Sequence, residues 1–297
     1  MTTDLAADER FKTVLDRLTG LSQRDYYNPY SLFEWPESLP EDAWWMSPEL
    51  LSVHGTGYGG TLTGEQLRAV SRWESLNFYS LNVHGIRELL TALVARIHTE
   101  EFALPSEYFH HVIGEENEHM WFFATFCRRY GRIYPVRTLG LAGPGVPEAD
   151  HFLVFARLLI FEEIVDVFNQ RMGVDERLHP TIRQVNQVHH QDESRHIAFG
   201  RQAVALLHSR LRDRLDRSRL DELERYLKRY MRSSVDSLVN PAVFRDAGLP
   251  EPYRVRREIL ADPAHEEYTR RVLRRSVDFM VNEQIFADDG IPPACAN

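Results

Sequence analysis

Cysteine is scarce in this chain of 297 residues: only Cys127 and Cys295 are present. Two thiols so far apart support neither a disulfide framework nor a cysteine-built metal site, and a reducing, cytoplasmic setting is the simplest expectation. Long apolar runs are missing too. No stretch approaches the ~20 consecutive apolar residues that span a bilayer, so no membrane partner is expected. A basic excess is also absent: 35 Lys and Arg face 44 Asp and Glu, a formal charge of −9, which argues against nucleic acid. The arginines that gather late in the chain, among them Arg254, Arg256, Arg270 and Arg274, are interleaved with acids and read as solvated helix faces. The opening MTTDLAADERFKTVLDRL is acidic and polar, which predicts a short helix and not a secretory leader. What the chain does have is thirteen histidines, several at helical spacing near glutamates.

Proline and glycine punctuate the sequence unevenly. Pro29, Pro36, Pro40 and Pro48 mark residues 1–62 as an ordered N-terminal arm that wraps the domain or makes a dimer contact. The run HGTGYGG at 54–60 lacks the strand context of a phosphate loop and reads as a flexible connection. Residues 63–214 then carry four long helical patterns: from the cap Thr63 to about Thr99, from Pro105 and Ser106 to about Tyr130, from about Asp150 to Met172, and from Pro180 to about Arg214. The third, FLVFARLLIFEEIVDVF, is apolar almost all round and belongs in the middle of a core. Residues 215–297 add further helices at about 219–238 and 263–287, separated by a Pro-rich turn region. Short links after the first and third helices predict antiparallel pairs, and the longer middle link predicts a crossover. The expected architecture is a single all-α domain: a four-helix core with an N-terminal arm and flanking helices.

One chemistry-bearing element falls on each long helix: Glu88, then Glu116-x-x-His119, then Glu162, then His189-x-x-x-Glu193-x-x-His196. A Glu on each of two helices and Glu-x-x-His on the other two is the ligand set of ferritin-like dimetal bundles. Residues three apart share a helix face within ~6 Å, so one helix can offer an oxygen and a nitrogen to one cluster. Four carboxylates balance two divalent metals, and without metal they would need strongly raised pKa values. The acids also sit in apolar stripes, such as Phe109, Val112, Ile113, Met120 and Phe123 around Glu116, where an unpaired carboxylate is expensive. Depth agrees. With loop centres at about 102 and 176, Glu88, Glu116 and Glu162 each lie fourteen residues from a loop. His189 and Glu193 lie thirteen and seventeen, so all ligands share one level within about a turn.

Around this set, Glu115 and Asp192 stand where an acid accepts the outer ring N–H of a metal-bound histidine on the facing helix. His84, one turn before Glu88, joins that supporting layer or is a satisfied core histidine. Glu163 competes with Glu162, and periodicity does not separate them in a helix this apolar. No catalytic residue beyond the ligands stands out. The donors suit two irons, cycling between Fe2+ and Fe3+, and suit manganese as well.

With the pattern assembled, the chain resembles the p-aminobenzoate N-oxygenase family of diiron arylamine oxygenases, over about residues 65–210. The likeness is sharpest in ENEHMWFF, IFEEIVD and HHQDESRHIAFGR. The resemblance implies a third histidine one turn before the last Glu-x-x-His, which is His189. It also implies a spacing near thirty-one between the third- and fourth-helix glutamates, which favours Glu162 over Glu163. The activity it implies is oxygenation of an amine nitrogen, to hydroxylamine or nitro, in secondary metabolism. The partners are dioxygen, an external electron donor and a small amine, free or carrier-bound, with the enzyme a homodimer. The rival expectations are C–H hydroxylation or desaturation on the same centre and, from a different class, an iron-storage or metal-buffering bundle.

Overall fold

A computed structural model describes residues 8–135 and 141–294, and Cys295 lies outside the described residues. The described residues form helices and no strand; the one isolated bridge joins Trp44 to Leu178. The helices are α1 (Glu9–Arg24), α2 (Pro29–Leu32), α3 (Gly64–Val94), α4 (Ser106–Tyr130), α5 (Asp150–Val174), α6 (Pro180–Arg212), α7 (Arg217–Leu238), α8 (Pro241–Asp246), α9 (Pro252–Ala261) and α10 (Pro263–Asn282). Among the described residues no helix is long and apolar enough to cross a membrane.

Local chemistry sets these boundaries. Thr63 and Gln66 form a reciprocal capping box that starts α3, each side chain accepting from the other's backbone N–H. The helix stops at Val94, short of the expected Thr99. His98 takes a φ of +57°, which an α-helix cannot accommodate. The stretch expected as a Pro-rich turn region contains α8 and α9, with Pro241 and Pro252 in their first turns, where the missing N–H costs no intrahelical bond.

Helices α3 to α6 are the four-helix core. α3 packs along α4 and α5 along α6, and the longer link is the one that joins the two pairs, between α4 and α5. α5 also meets α3, α7 and α10, so it is covered on nearly every side, and this accounts for its unbroken apolar sequence. α1 lies across α4 and α6 on the opposite flank. Gly85 of α3 lets α5 come close, since a Cβ there would stand 2.3 Å from the Phe161 ring.

Glu74, near the start of α3, is buried away from the bundle centre and accepts hydrogen bonds from the Ser52 N–H and hydroxyl. Burial pushes its carboxyl up to about 7, with Ser52 partly opposing the rise and Tyr268 nearby. The native state therefore holds this proton more tightly than the unfolded chain does. Stability falls as pH rises from about 4.5 to about 7, and the cost is complete above that window. Glu74→Gln mimics the protonated form. It is expected to out-stabilise the parent at pH 8, by up to about 3 kcal/mol, with no such gain near pH 4. Urea unfolding at the two pH values checks this, and a gain independent of pH would refute it.

Candidate metal centre

The i, i+3 pair Glu116 and His119 projects from α4, and the i, i+4, i+7 set His189, Glu193 and His196 projects from α6. One donor atom from each of Glu116, His119, Glu193 and His196 lies within 4.8 Å of all the others, and all four residues are buried. His196 Nδ1 stands 2.9 Å from Glu116 Oε1 and 3.6 Å from Glu193 Oε1. His119 Nδ1 stands 3.5 Å from Glu116 Oε2 and 3.8 Å from Glu193 Oε1, and His189 Nε2 lies 3.1 Å from the same Glu193 oxygen. Glu162 of α5 closes the group from the other side; it borders a cavity of about 20 Å³ together with His196.

The inner atoms of the cluster lack hydrogen bonds. Both Glu116 oxygens, His119 Nδ1, His189 Nε2, Glu193 Oε2 and His196 Nδ1 are buried without a hydrogen-bond partner. Buried polar atoms are almost always satisfied, so six converging orphans need an explanation. Their close pairs are poorly aligned for hydrogen bonds but suit donors directed at a common cation. As bare side chains the cluster balances itself only with protons. Burial, reinforced by the charge on Glu193, pushes the Glu162 carboxyl well above the usual range. Burial opposes charge on His119 as well, yet the hydrogen bond to Asp192 and the nearby Glu116 carboxylate outweigh it and raise the imidazole to about 10. Cations held by these oxygens and nitrogens would neutralise the acids and leave the imidazoles neutral.

The outer nitrogen of each histidine is engaged. His119 Nε2–H donates to Asp192 Oδ2 at 2.9 Å, and His196 Nε2–H donates to Glu115 Oε2 at 2.7 Å, each acid reaching across to the facing helix. Arg195 ties the two acids together. Its Nη2 donates to Asp192 Oδ1 (2.5 Å) and Glu115 Oε1 (2.8 Å), and its Nε donates to Ser22 of α1. The Tyr27 hydroxyl donates to Asp192 Oδ2 at 2.8 Å, so the N-terminal segment completes this layer. His189 Nδ1 meets the Asn169 side-chain amide, whose oxygen is otherwise unpartnered. Turning that amide over satisfies both groups: Nδ1–H donates to the oxygen, and the Nε2 lone pair faces the cluster.

Other glutamates and histidines of these helices lie elsewhere. Glu88 is exposed, at the rim of a cavity of about 110 Å³ between α3, α5 and α7, and does not reach the cluster. It has the right height but the wrong rotation. His84 lies on that same face and donates from Nε2 to the Tyr134 carbonyl at 2.7 Å, so it braces the crossover and supports no ligand. Glu163 points away from the group and pairs with Arg201. His190 is turned to Asp166, which also pairs with Arg275 of α10. Arg195, Tyr27 and Asn169 went unnoticed in the sequence. Only Arg195 left a local signal, an i, i+3 partner for Asp192.

Comparison with known proteins adds to this geometry. The profile of the family described as P-aminobenzoate N-oxygenase AurF matches residues 8–282. The chain is similar to uncharacterised proteins of Mycobacterium tuberculosis (Rv0885) and Mycobacterium bovis (Mb0909). It is 26% identical to each over 272 residues, covering 86% of this chain and 76% of theirs. Among solved structures it is similar to a variant of an R2-like ligand-binding oxidase with an Mn/Fe cofactor. The TM-score is 0.50 at 14% identity, with 92% of this chain and 93% of the other covered, and the likeness is one of ferritin-like fold.

Proposed function

Since the chain belongs to the p-aminobenzoate N-oxygenase family, we propose that this oxidoreductase is an oxygen-activating dimetal oxygenase that oxidises an amine nitrogen. The observation that carries the reading is the inward convergence of orphaned donors, each histidine anchored by its outer nitrogen. Glu116, His119, Glu162, His189, Glu193 and His196 would hold two irons, and the same oxygens and imidazoles suit manganese. Bound there, the metals supply the electrons and open positions that dioxygen chemistry requires. The protein's part is to fix donors and exclude water. Asp192, Glu115 and Asn169 hold the imidazoles with their lone pairs inward, and Phe122, Phe123, Phe155 and Phe199 pack the surroundings dry.

The reaction in this reading is R–NH2 + O2 + 2 e− + 2 H+ → R–NHOH + H2O, with the electrons from an external donor. Incubating iron-loaded protein and a reductant with a panel of aromatic amines under 18O2 tests it. The expected product carries one labelled oxygen on nitrogen. Full metal uptake without N-oxygenated product would move the reading to C–H oxidation. That rival is favoured by the apolar lining (Leu89, Leu93, Val112, Phe155) of the small cavity beside Glu162. Iron content settling near two per chain separates both from storage. Sedimentation checks the remaining part of the reading, an assembly of two chains.

His189 distinguishes this centre from a plain two-histidine bundle. His189→Ala is expected to keep the fold and most of the metal while lowering N-oxygenation by about 10- to 100-fold. Metal analysis beside product assays reads both, and unchanged turnover makes His189 a bystander.

A further inference from the structure

Resting on the dimetal reading, the geometry points to two unequal metal positions, because α3 gives the centre no carboxylate and Ile86 stands where that ligand would come from. The other three core helices deliver their donors; α3 does not. Its acids are accounted for elsewhere: Glu65 and Glu88 are exposed, and Glu74 is held by Ser52.

The inner stripe of α3 is defined by contacts on either side of the site. The Tyr79 ring stacks on Phe123 of α4 at 5.2 Å, and its hydroxyl accepts from Asn186 of α6 at 2.7 Å. Leu93 borders the small cavity with Val112, Glu162 and His196. Ile86 lies seven residues from each, two helical turns, so it occupies the same stripe. Its height follows from the same pairs. Tyr79 with Asn186, and Leu89 with His196, both differ by 107, which sets Ile86 level with Glu193. Gly85 against Phe161 brings the same turn beside Glu162. Ile86 is 1% exposed and carries no donor. Asn82, the other buried candidate, donates to the Phe78 carbonyl and lines the separate cavity between α3, α5 and α7.

The donor set is therefore lopsided. Glu162, His189, Glu193 and His196 come from the α5–α6 side, whereas Glu116 and His119 stand alone on the other. Three carboxylates leave two divalent cations one charge short of balance, and the shortfall falls on the α3–α4 side. Calcium sites show the same dependence, affinity following the number of charged ligands. The first metal binds tightly, and the second is weaker and exchangeable.

Stepwise metal titration of the full-length, chelator-stripped protein tests this, with anaerobic Fe2+ and with Mn2+ followed by calorimetry and equilibrium dialysis. Two steps are expected in the parent, the second weaker by at least about tenfold. Ile86→Glu should strengthen the second step by a similar factor while lowering metal-free thermal stability, and Ile86→Gln should leave the second step weak. A single step of two equal equivalents in the parent overturns the inference. So does a folded Ile86→Glu whose second step is unchanged. If Ile86→Glu does not fold, the shape of the parent isotherm decides. A folded parent that shows neither step removes the dimetal reading itself along with this inference.

Discussion

Glu162→Ala is expected to abolish the metal centre, while Glu163→Ala, one residue along the same helix, leaves it intact. Both carboxylates are buried, but they face opposite ways. Glu163 is neutralised by Arg201, whereas Glu162 forms no salt bridge among the described residues and shares its field with Glu193, His196 and Glu116. Metal affinity should fall by at least about two orders of magnitude in Glu162→Ala, since a ligand is worth more than the supporting groups that cost 10- to 100-fold. The metal-free protein should be no less stable, because a costly buried acid has gone. Glu163→Ala should instead lose about 1 kcal/mol of stability with metal uptake unchanged, its partner Arg201 being one-third exposed. Metal analysis and thermal melts with and without metal read both effects. The reverse pattern would show that α5 is rotated by one residue from the placement described.

Arg195→Leu is expected to be the most destabilising single change in the layer around the centre, costing about 3–5 kcal/mol. Its guanidinium is nearly buried and pairs with Asp192 and Glu115 together. Removing it leaves two acids facing each other across α4 and α6 with only histidine N–H groups, Tyr27 and solvent to offset them. Those acids hold the histidines, so the loss should spread to the metal. Urea unfolding of the metal-free variant measures the structural part, and the titration midpoint measures the rest. If Arg195→Leu shifts neither, the acids are balanced by other means, and the layer is less dependent on this residue than its contacts indicate.

The sequence carried α4, α5 and α6 well because each element there has internal spacing. Glu116 and His119, or His189, Glu193 and His196, fix both height and rotation from one helix, and Glu115 and Asp192 inherit the rotation of their neighbours. α3 offered a single acid at the right height and nothing to fix its angle. Glu88 is two residues from Ile86, about 200° around the helix, so a match in height concealed a miss in direction. His84, four residues from Glu88, lies on that same face, and its hydrogen bond to the Tyr134 carbonyl matches the second of its two readings, a satisfied histidine. The spacing near thirty-one that favoured Glu162 came from family resemblance, and Glu162 lines the same small cavity as His196. Tyr27, Asn169 and the Arg195–Glu115 bridge could not be read locally. Their partners are brought together by packing, and no period in the chain encodes them. The two short helices near the C-terminus were hidden for a different reason: Pro241 and Pro252 looked like breakers, although proline in a first turn starts a helix as readily as it ends one.

The contacts of the N-terminal segment also impose an order on synthesis. Tyr27 and Ser22 find their partners in α6, 165 and 173 residues further along the chain. Those first residues therefore leave the ribosome long before their docking surface exists, and their closure ranks among the latest, most non-local events of folding. Until then the flank of α4 and α6 that carries Glu115 and Asp192 is uncovered. The nascent protein thus has a period in which the acids are gathered but not yet roofed.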